Sequence, residues 1–438
     1  MKNIKTLSKR GQTAFNTQLR VDFDLFFEAS EDMYHPTDNP NGKFPLNTAE
    51  NKQSWHLLKE KMELLSLEKS IPDWVPNYTS CLGHESFRLT MANFLARFLT
   101  KGPINPDNLA VSVGASAVIE MTAWLLGDSG DVAVFPTPSY PVYKQDIGNK
   151  AGMERYNLIT HHEISEIAEK PILKIKQLKK AKKDIVSQGK TFKVLVLTTP
   201  DNPTGGMYPI KRLEKMANWC IKNKIHLIVN EIYALSLLNT KHPAIKKDYK
   251  KQREFISFGQ IMEAKQSPYL HLWYALSKDL GISGFRVGIL YSLNDALIKA
   301  YDNLNVSHLV SNHTQWLLSE IMADHDFMET YISYNQKALT DAYVFMIEKL
   351  RALDIPYVPS RGSLFIWIDC AKFLKKPTQK AETKFWEDLY NKTGVLLTPG
   401  EGFGHSKRGL FRIVYPCFNI ADLGVAMERF GKYIRGLK

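Results

Sequence analysis

The sequence predicts an α/β protein built as two packed domains, and three observations carry that prediction. As far as Tyr291, β-type apolar runs alternate with segments of helical period, an order that implies a sheet covered by helices with ligands gathered at its strand ends. After Tyr291 the pattern becomes helical to about Leu353, and short strands and a closing helix follow. A length of 438 residues exceeds one small core and suffices for two.

The first strand–helix unit is Val111-Ser112-Val113-Gly114-Ala115-Ser116-Ala117, with Val118, Met121, Thr122 and Leu125 on one helical face. A helix N-terminus offers free N–H groups and about half a positive charge, which suits a phosphate; an ordinary turn has the same pattern. Asp131 to Phe135 is a strand, and the proline turn Pro136-Thr137-Pro138-Ser139-Tyr140-Pro141 fixes an aromatic at its end. Lys193 to Leu197 and Ile225 to Val229 are further strands, ending in Asp201-Asn202-Pro203-Thr204-Gly205 and in Asn230-Glu231-Ile232-Tyr233.

A buried-type run at Leu270, Leu272 and Trp273 leads to Ala275-Leu276-Ser277-Lys278 and, past two glycines, to Phe285-Arg286-Val287-Gly288. An ordinary lysine titrates near ~10.4 and is a poor nucleophile, but desolvation or a nearby cation frees its amine. By themselves these residues also describe a plain loop lysine at a strand end. Upstream, Tyr78, Gly83 and Phe87 open a helix of good period through Met91, Phe94, Leu95 and Phe98. Tyr34 to Gly42 is a turn-rich arm. Beyond Leu353, strands are expected around Ser363 to Ile368, Gly394 to Leu397 and Leu410 to Val414, with a final helix burying Leu423, Met427, Phe430 and Ile434. Gly400-Glu401-Gly402-Phe403-Gly404 precedes no helix and is not a dinucleotide fingerprint.

Composition narrows the class. At 44% hydrophobic and 23% charged residues, the chain is of the folded, globular type. Cys81, Cys220, Cys370 and Cys417 lie far apart, against a disulfide scaffold or zinc site and in keeping with a reducing cytoplasm. Met1 to Leu19 is basic and polar, unlike a secretory signal, and no window reaches the roughly 18 apolar residues of a membrane span. A net charge of +12 raises the question of nucleic acid, but the lysines are spread, densest in Lys174 to Lys183 on a solvated helical face. Neither a nucleic-acid nor a membrane partner is expected, and no metal-ligand cluster appears.

Ser277-Lys278 with Gly284-Phe285-Arg286-Val287-Gly288 resembles the Schiff-base segment of fold-type I pyridoxal-phosphate enzymes, the class I/II aminotransferases, and is closest to 1-aminocyclopropane-1-carboxylate (ACC) synthase-like members. The match runs from about Tyr34 to Phe418. It implies the aspartate aminotransferase-like fold: an N-terminal arm with part of the small domain (1–50), a large domain with a mixed central sheet (51–315) and a small α+β domain (316–438). It implies pyridoxal 5′-phosphate as cofactor, held by Lys278, with Ala115, Ser116, Ser277 and Arg286 on the phosphate, Tyr140 stacked on the ring, and Asn202 and Tyr233 on its 3′-oxygen. Tyr78 would reach the phosphate of a neighbouring subunit, which makes a homodimer. Arg412 would hold the α-carboxylate of a small amino-acid substrate. Asn39-Pro40-Asn41-Gly42 and Ala49-Glu50-Asn51 resemble the ACC synthase arm, where Glu50 helps hold the substrate.

Two positions depart from the family. Asn230 stands where an aspartate keeps the pyridine nitrogen protonated, and Glu231 cannot replace it because neighbouring strand side chains point to opposite faces. Ala275 stands where many relatives place a phosphate-binding serine. Three functions fit: an aminotransferase-type enzyme with an atypical cofactor site, an ACC synthase-like lyase, or a catalytically quiet binding or regulatory relative. Retention of Lys278, Asn202, Tyr233, Arg286 and Arg412 together argues against the last.

Overall fold

The computed structural model describes residues 3–160 and 173–437. Its strands β1 (Leu109–Ser112), β2 (Val132–Thr137), β3 (Glu154–Ile159), β4 (Phe192–Thr198), β5 (His226–Asn230), β6 (Leu270–Ala275) and β7 (Gly288–Ser292) form one seven-stranded sheet. The order is β1-β7-β6-β5-β4-β2-β3, with β7 antiparallel to both neighbours and the remaining pairs parallel. A sheet covered on both faces takes strands that are apolar throughout, which is why β6 is buried along its whole length rather than alternating. The register sets Thr198 opposite Asn230, and Asn230 opposite Trp273, so the C-terminal ends of β4, β5 and β6 lie side by side. That shared edge positions the site.

The helix α1 (Glu85–Leu95) packs Phe87 and the predicted Met91, Phe94 and Leu95 into the first core, while the predicted Phe98 lies in the turn 96–100 beyond the helix and is only partly buried. In α2 (Ala115–Leu126) the structure departs from a single buried stripe. Val118, Met121 and Thr122 are buried and Leu125 only partly so, while Ala117, Ile119, Ala123 and Leu126 are buried too. The helix lies against β6 and β7 on one side and against the helices 143–148 and 295–304 on the other, so most of its circumference is covered.

The second half of the chain adds a four-stranded antiparallel sheet of β8 (Tyr357–Val358), β9 (Phe365–Asp369), β10 (Thr398–Pro399) and β11 (Leu410–Val414), ordered β10-β11-β9-β8. The helices α3 (His325–Ala352), α4 (Gln379–Thr393) and α5 (Ile420–Arg435) pack with it, α5 burying Leu423, Met427, Phe430 and Ile434 as its period predicts. The expected strand at 394–397 is two residues, Val395–Leu396, paired in parallel with Phe44–Pro45 of the arm.

Two main apolar cores correspond to the two sheets, and α3 spans them. Met328, Tyr331 and Ile332 belong to the first core, and Leu339, Tyr343, Met346 and Leu350 to the second. The division into 1–50, 51–315 and 316–438 stays a proposal, which the arm's pairing with Val395–Leu396 supports at its N-terminal end. No helix among the described residues is long and apolar enough to cross a membrane.

Candidate active site

Lys278 sits in a one-turn helix, Leu276–Asp279, that starts where β6 ends. The turn is held from below. The Asp279 carboxylate accepts from the Leu235 amide at 2.9 Å, Ser236 Oγ at 2.7 Å and the Tyr274 hydroxyl at 3.0 Å. From α3, Tyr331 donates to the Leu280 carbonyl at 2.8 Å. Gly281 has φ +66°, and a side chain there would meet the Asn51 carbonyl oxygen at 2.6 Å, so only glycine lets the arm pass so close. The Lys278 amine faces a cavity of about 220 Å³ and donates to the Ala49 carbonyl at 2.6 Å. Burial lowers its pKa to about 8, with the cations of Arg412, Arg286 and Arg20 in support and the Glu50 carboxylate opposing.

At one end of the cavity, the start of α2 meets Arg286. Gly114 has φ +90°, and a Cβ there would run into the Arg286 guanidinium. Arg286 donates from Nη1 to the Ser283 carbonyl at 3.0 Å and from Nη2 to the Val113 carbonyl at 3.4 Å. Ala115, Ser116 and Ser277 line the same end. Open helix N–H groups, hydroxyls and a guanidinium are the donor set a phosphate takes. Ala275 is fully buried in the second core and brings no hydroxyl.

Along the strand ends, Asn230 and Tyr140 line the cavity, and Tyr140 meets Tyr143 edge-on at 5.3 Å. Arg155 holds the Tyr140 turn, donating to the carbonyls of Tyr140 and Pro141 at 3.0 and 2.9 Å and to Ser139 Oγ at 2.7 Å. Asn230 Nδ2 donates to the Tyr143 hydroxyl at 2.9 Å. Glu231 turns to the opposite face, where its carboxylate accepts from Ser257 Oγ at 2.6 Å and the Phe258 amide at 2.5 Å, and burial pushes its pKa up to about 8.

At the far end Arg412 is buried, with its guanidinium carbon 4.5 Å from the Phe365 ring centroid. Nη1 donates to Asn202 Oδ1 at 3.0 Å, and Nη2 to the Asn47 carbonyl at 2.6 Å and Thr398 Oγ1 at 3.1 Å. Its Nε has no partner among the described residues. A buried guanidinium with a donor to spare suits a carboxylate. Burial, and next the charge of Arg20, lowers the Arg412 pKa to about 9. Asn202 Nδ2 donates to the Tyr233 hydroxyl at 3.4 Å, and burial holds that phenol well above its usual range.

The chain thus brings Lys278, Ala115, Ser116, Tyr140, Asn202, Asn230, Tyr233, Ser277, Arg286 and Arg412 around one cavity. It does not bring Tyr78 there, whose side chain stands 97% exposed outside the cavity, nor does Glu50 line it, its carboxylate lying 3.4 Å from Lys52. Sequence reasoning missed Arg20, Thr198 and Tyr143. Arg20 lines the cavity from the arm, its Nε donating to Asp22 at 2.8 Å. The signals were slight: Tyr143 lies three residues past Tyr140, Thr198 closes β4, and nothing marks Arg20 within a basic stretch.

Comparison with known proteins places this geometry. The family model for aminotransferase class I and II matches residues 44–430. A 1-aminocyclopropane-1-carboxylate synthase of Glycine max is 29% identical over 94% of this chain and 84% of its own. A mouse 1-aminocyclopropane-1-carboxylate synthase-like protein 1 is 29% identical over 88% and 74%. Among solved structures, the aspartate aminotransferase of Thermus thermophilus superposes with a TM-score of 0.78, covering 98% of this chain and 99% of its own. At 19% identity that likeness speaks for the fold alone. With motif order, cavity and family model in agreement, the chain belongs to the class I and II aminotransferases, a family of pyridoxal-phosphate enzymes.

Proposed function

We propose that this enzyme acts on an α-amino acid by aminotransferase-type chemistry at a cofactor site made atypical by Asn230. One observation carries the reading: the Lys278 amine and the buried Arg412 guanidinium open into the same cavity. Pyridoxal phosphate, when bound, supplies an electron-accepting ring that stabilises negative charge at the substrate Cα. The Gly114–Ser116 turn, Ser277 and Arg286 would hold its phosphate, and Asn202 and Tyr233 its 3′-oxygen. Arg412 orients the substrate through its carboxylate, using the donor left over at Nε. Lys278, with a pKa near 8, can take a proton from Cα as the pH rises through that value and can return it.

A second reading is an ACC synthase-like lyase that expels a γ-group, as from S-adenosylmethionine. The names of the similar sequences favour it, as does the Lys278 contact with Ala49, which ties the Ala49-Glu50-Asn51 arm to the amine. One experiment separates the two. Purified protein with pyridoxal phosphate is given a panel of amino acids with an oxo acid, or S-adenosylmethionine alone. A new amino acid supports transamination, whereas 1-aminocyclopropane-1-carboxylate from S-adenosylmethionine supports the lyase. No product and no substrate-induced change in the absorption spectrum would rule out both.

We further propose a cytoplasmic homodimer with sites completed across the interface. Its supports are the four free cysteines and the outward-facing Tyr78.

A further inference from the structure

We propose that Tyr143 fixes Asn230 as a one-way hydrogen-bond donor toward the cofactor ring, so that the site takes the pyridine nitrogen unprotonated. The inference rests on the reading above, that this cavity holds pyridoxal phosphate, and adds to it a positioning residue.

The amide of Asn230 has its ends assigned by chemistry. Its oxygen accepts the backbone N–H of Ile232 at 3.1 Å. Turned the other way, the amide would set N–H against N–H, so the nitrogen must face Tyr143. Nδ2 donates to the Tyr143 hydroxyl at 2.9 Å, and that hydroxyl lies 3.0 Å from Thr198 Oγ1 on the adjacent strand β4. A phenol that accepts from Asn230 can give its own proton to Thr198, although either of these two hydroxyls is able to donate, and in that sense the three groups make a directed chain. Tyr143 cannot swing away. It is buried, stacked on Phe135 at 4.8 Å and edge-on to Tyr140 at 5.3 Å.

An amide nitrogen carries two N–H groups. One is given to Tyr143, and the other has no partner among the described residues, while Asn230 lines the cavity. An unprotonated pyridine nitrogen can accept that N–H. A protonated one would face it donor to donor, at a buried position where an unmade hydrogen bond is costly. The charges nearby act in the same sense. Arg20, Lys278, Arg286 and Arg412 all line this cavity, so a further positive charge on the ring is disfavoured. The carboxylates that bear on Tyr143 are Asp146 and Asp201, and neither is hydrogen-bonded to Asn230. Burial raises each toward its neutral form, at about 7.

The test needs no turnover. Pyridoxal phosphate labelled with 15N in the ring is bound to the protein, and its 15N chemical shift is read from about pH 6 to about pH 9. Wild type should show the unprotonated shift throughout, and Asn230→Asp the protonated one. Tyr143→Phe keeps the Ile232 contact but removes the partner of Nδ2, leaving that single contact to aim the amide, so the signal should move part-way toward the protonated shift and affinity fall roughly five- to tenfold. Thr198→Val, which keeps the tyrosine but removes its acceptor, should move the signal less and in the same direction; it carries the test if Tyr143→Phe fails to fold. A protonated nitrogen in wild type, or wild-type shifts in both Tyr143→Phe and Thr198→Val, overturns the inference. Wild type that takes up no pyridoxal phosphate overturns the functional reading beneath it.

Discussion

Arg412 Nη1 donates to the side-chain oxygen of Asn202 at 3.0 Å, which ties strand β11 of the smaller sheet to the turn that follows β4 of the larger one. Because Asn202 also donates to Tyr233, the group proposed for the substrate carboxylate and the pair proposed for the cofactor oxygen share one residue. Arg412→Ala should weaken binding of α-carboxylate substrates by roughly 2–5 kcal/mol, the cost of removing one partner of a buried charge pair. Cofactor binding should survive. Calorimetric titration of the holoenzyme with amino acids checks both, and unchanged substrate affinity would remove Arg412 from the site.

Lys278 should be the residue that borohydride reduction of the holoenzyme labels, as read by peptide mapping. Its pH dependence has a definite sign. Below about 8 the amine is protonated and unreactive, so cofactor uptake by the apoprotein should rise about tenfold per pH unit and level off above that value. Glu50 opposes the depression by favouring the ammonium form. Glu50→Gln should therefore shift the midpoint to lower pH. A midpoint that stays in place, or moves upward, contradicts the arrangement of charges around the amine.

Asn230→Asp restores a carboxylate at the strand end with almost no change of shape. If wild type is a transaminase slowed at this one position, the variant should transaminate common amino acids up to ~10²–10³ times faster. If the site is adapted to another reaction, the variant should gain transamination while losing the native activity. Brisk wild-type transamination with no gain in the variant would show that the missing carboxylate is immaterial.

Tyr78 offers a test of assembly. It lies exposed and outside its own chain's cavity, so a role in the chemistry requires a second copy. Tyr78→Ala and Lys278→Ala should each be impaired, and a mixture unfolded and refolded together should recover part of the activity, because mixed dimers contain one site with neither change. No recovery, or a fully active monomer in sedimentation, would show that Tyr78 serves no neighbouring site.

The sequence by itself determined the alternation of strands and helices, the strand–turn–helix at Gly114, and the strand-end turns at Asn202, Asn230 and Lys278. These are local matters. Runs of apolar residues, turn-forming dipeptides and a helix start are set by near neighbours along the chain, and each reads in a short window. The role of Arg412 was legible only by resemblance, since nothing within Phe411-Arg412-Ile413 distinguishes a substrate clamp from a buried strand residue. What tertiary structure alone decided is who meets whom. Arg20 reaches Thr398 across 378 residues, and Tyr143 reaches Asn230 across 87, because the arm folds over the smaller sheet and a helix packs against the strand ends. The same packing buried Lys278 among three arginines and lowered its pKa, and it supplied Ser257 and Phe258 as partners for Glu231, whose turn to the opposite face strand alternation already implied. Charge and burial at a point depend on all the elements that converge there, and no window of sequence holds that sum.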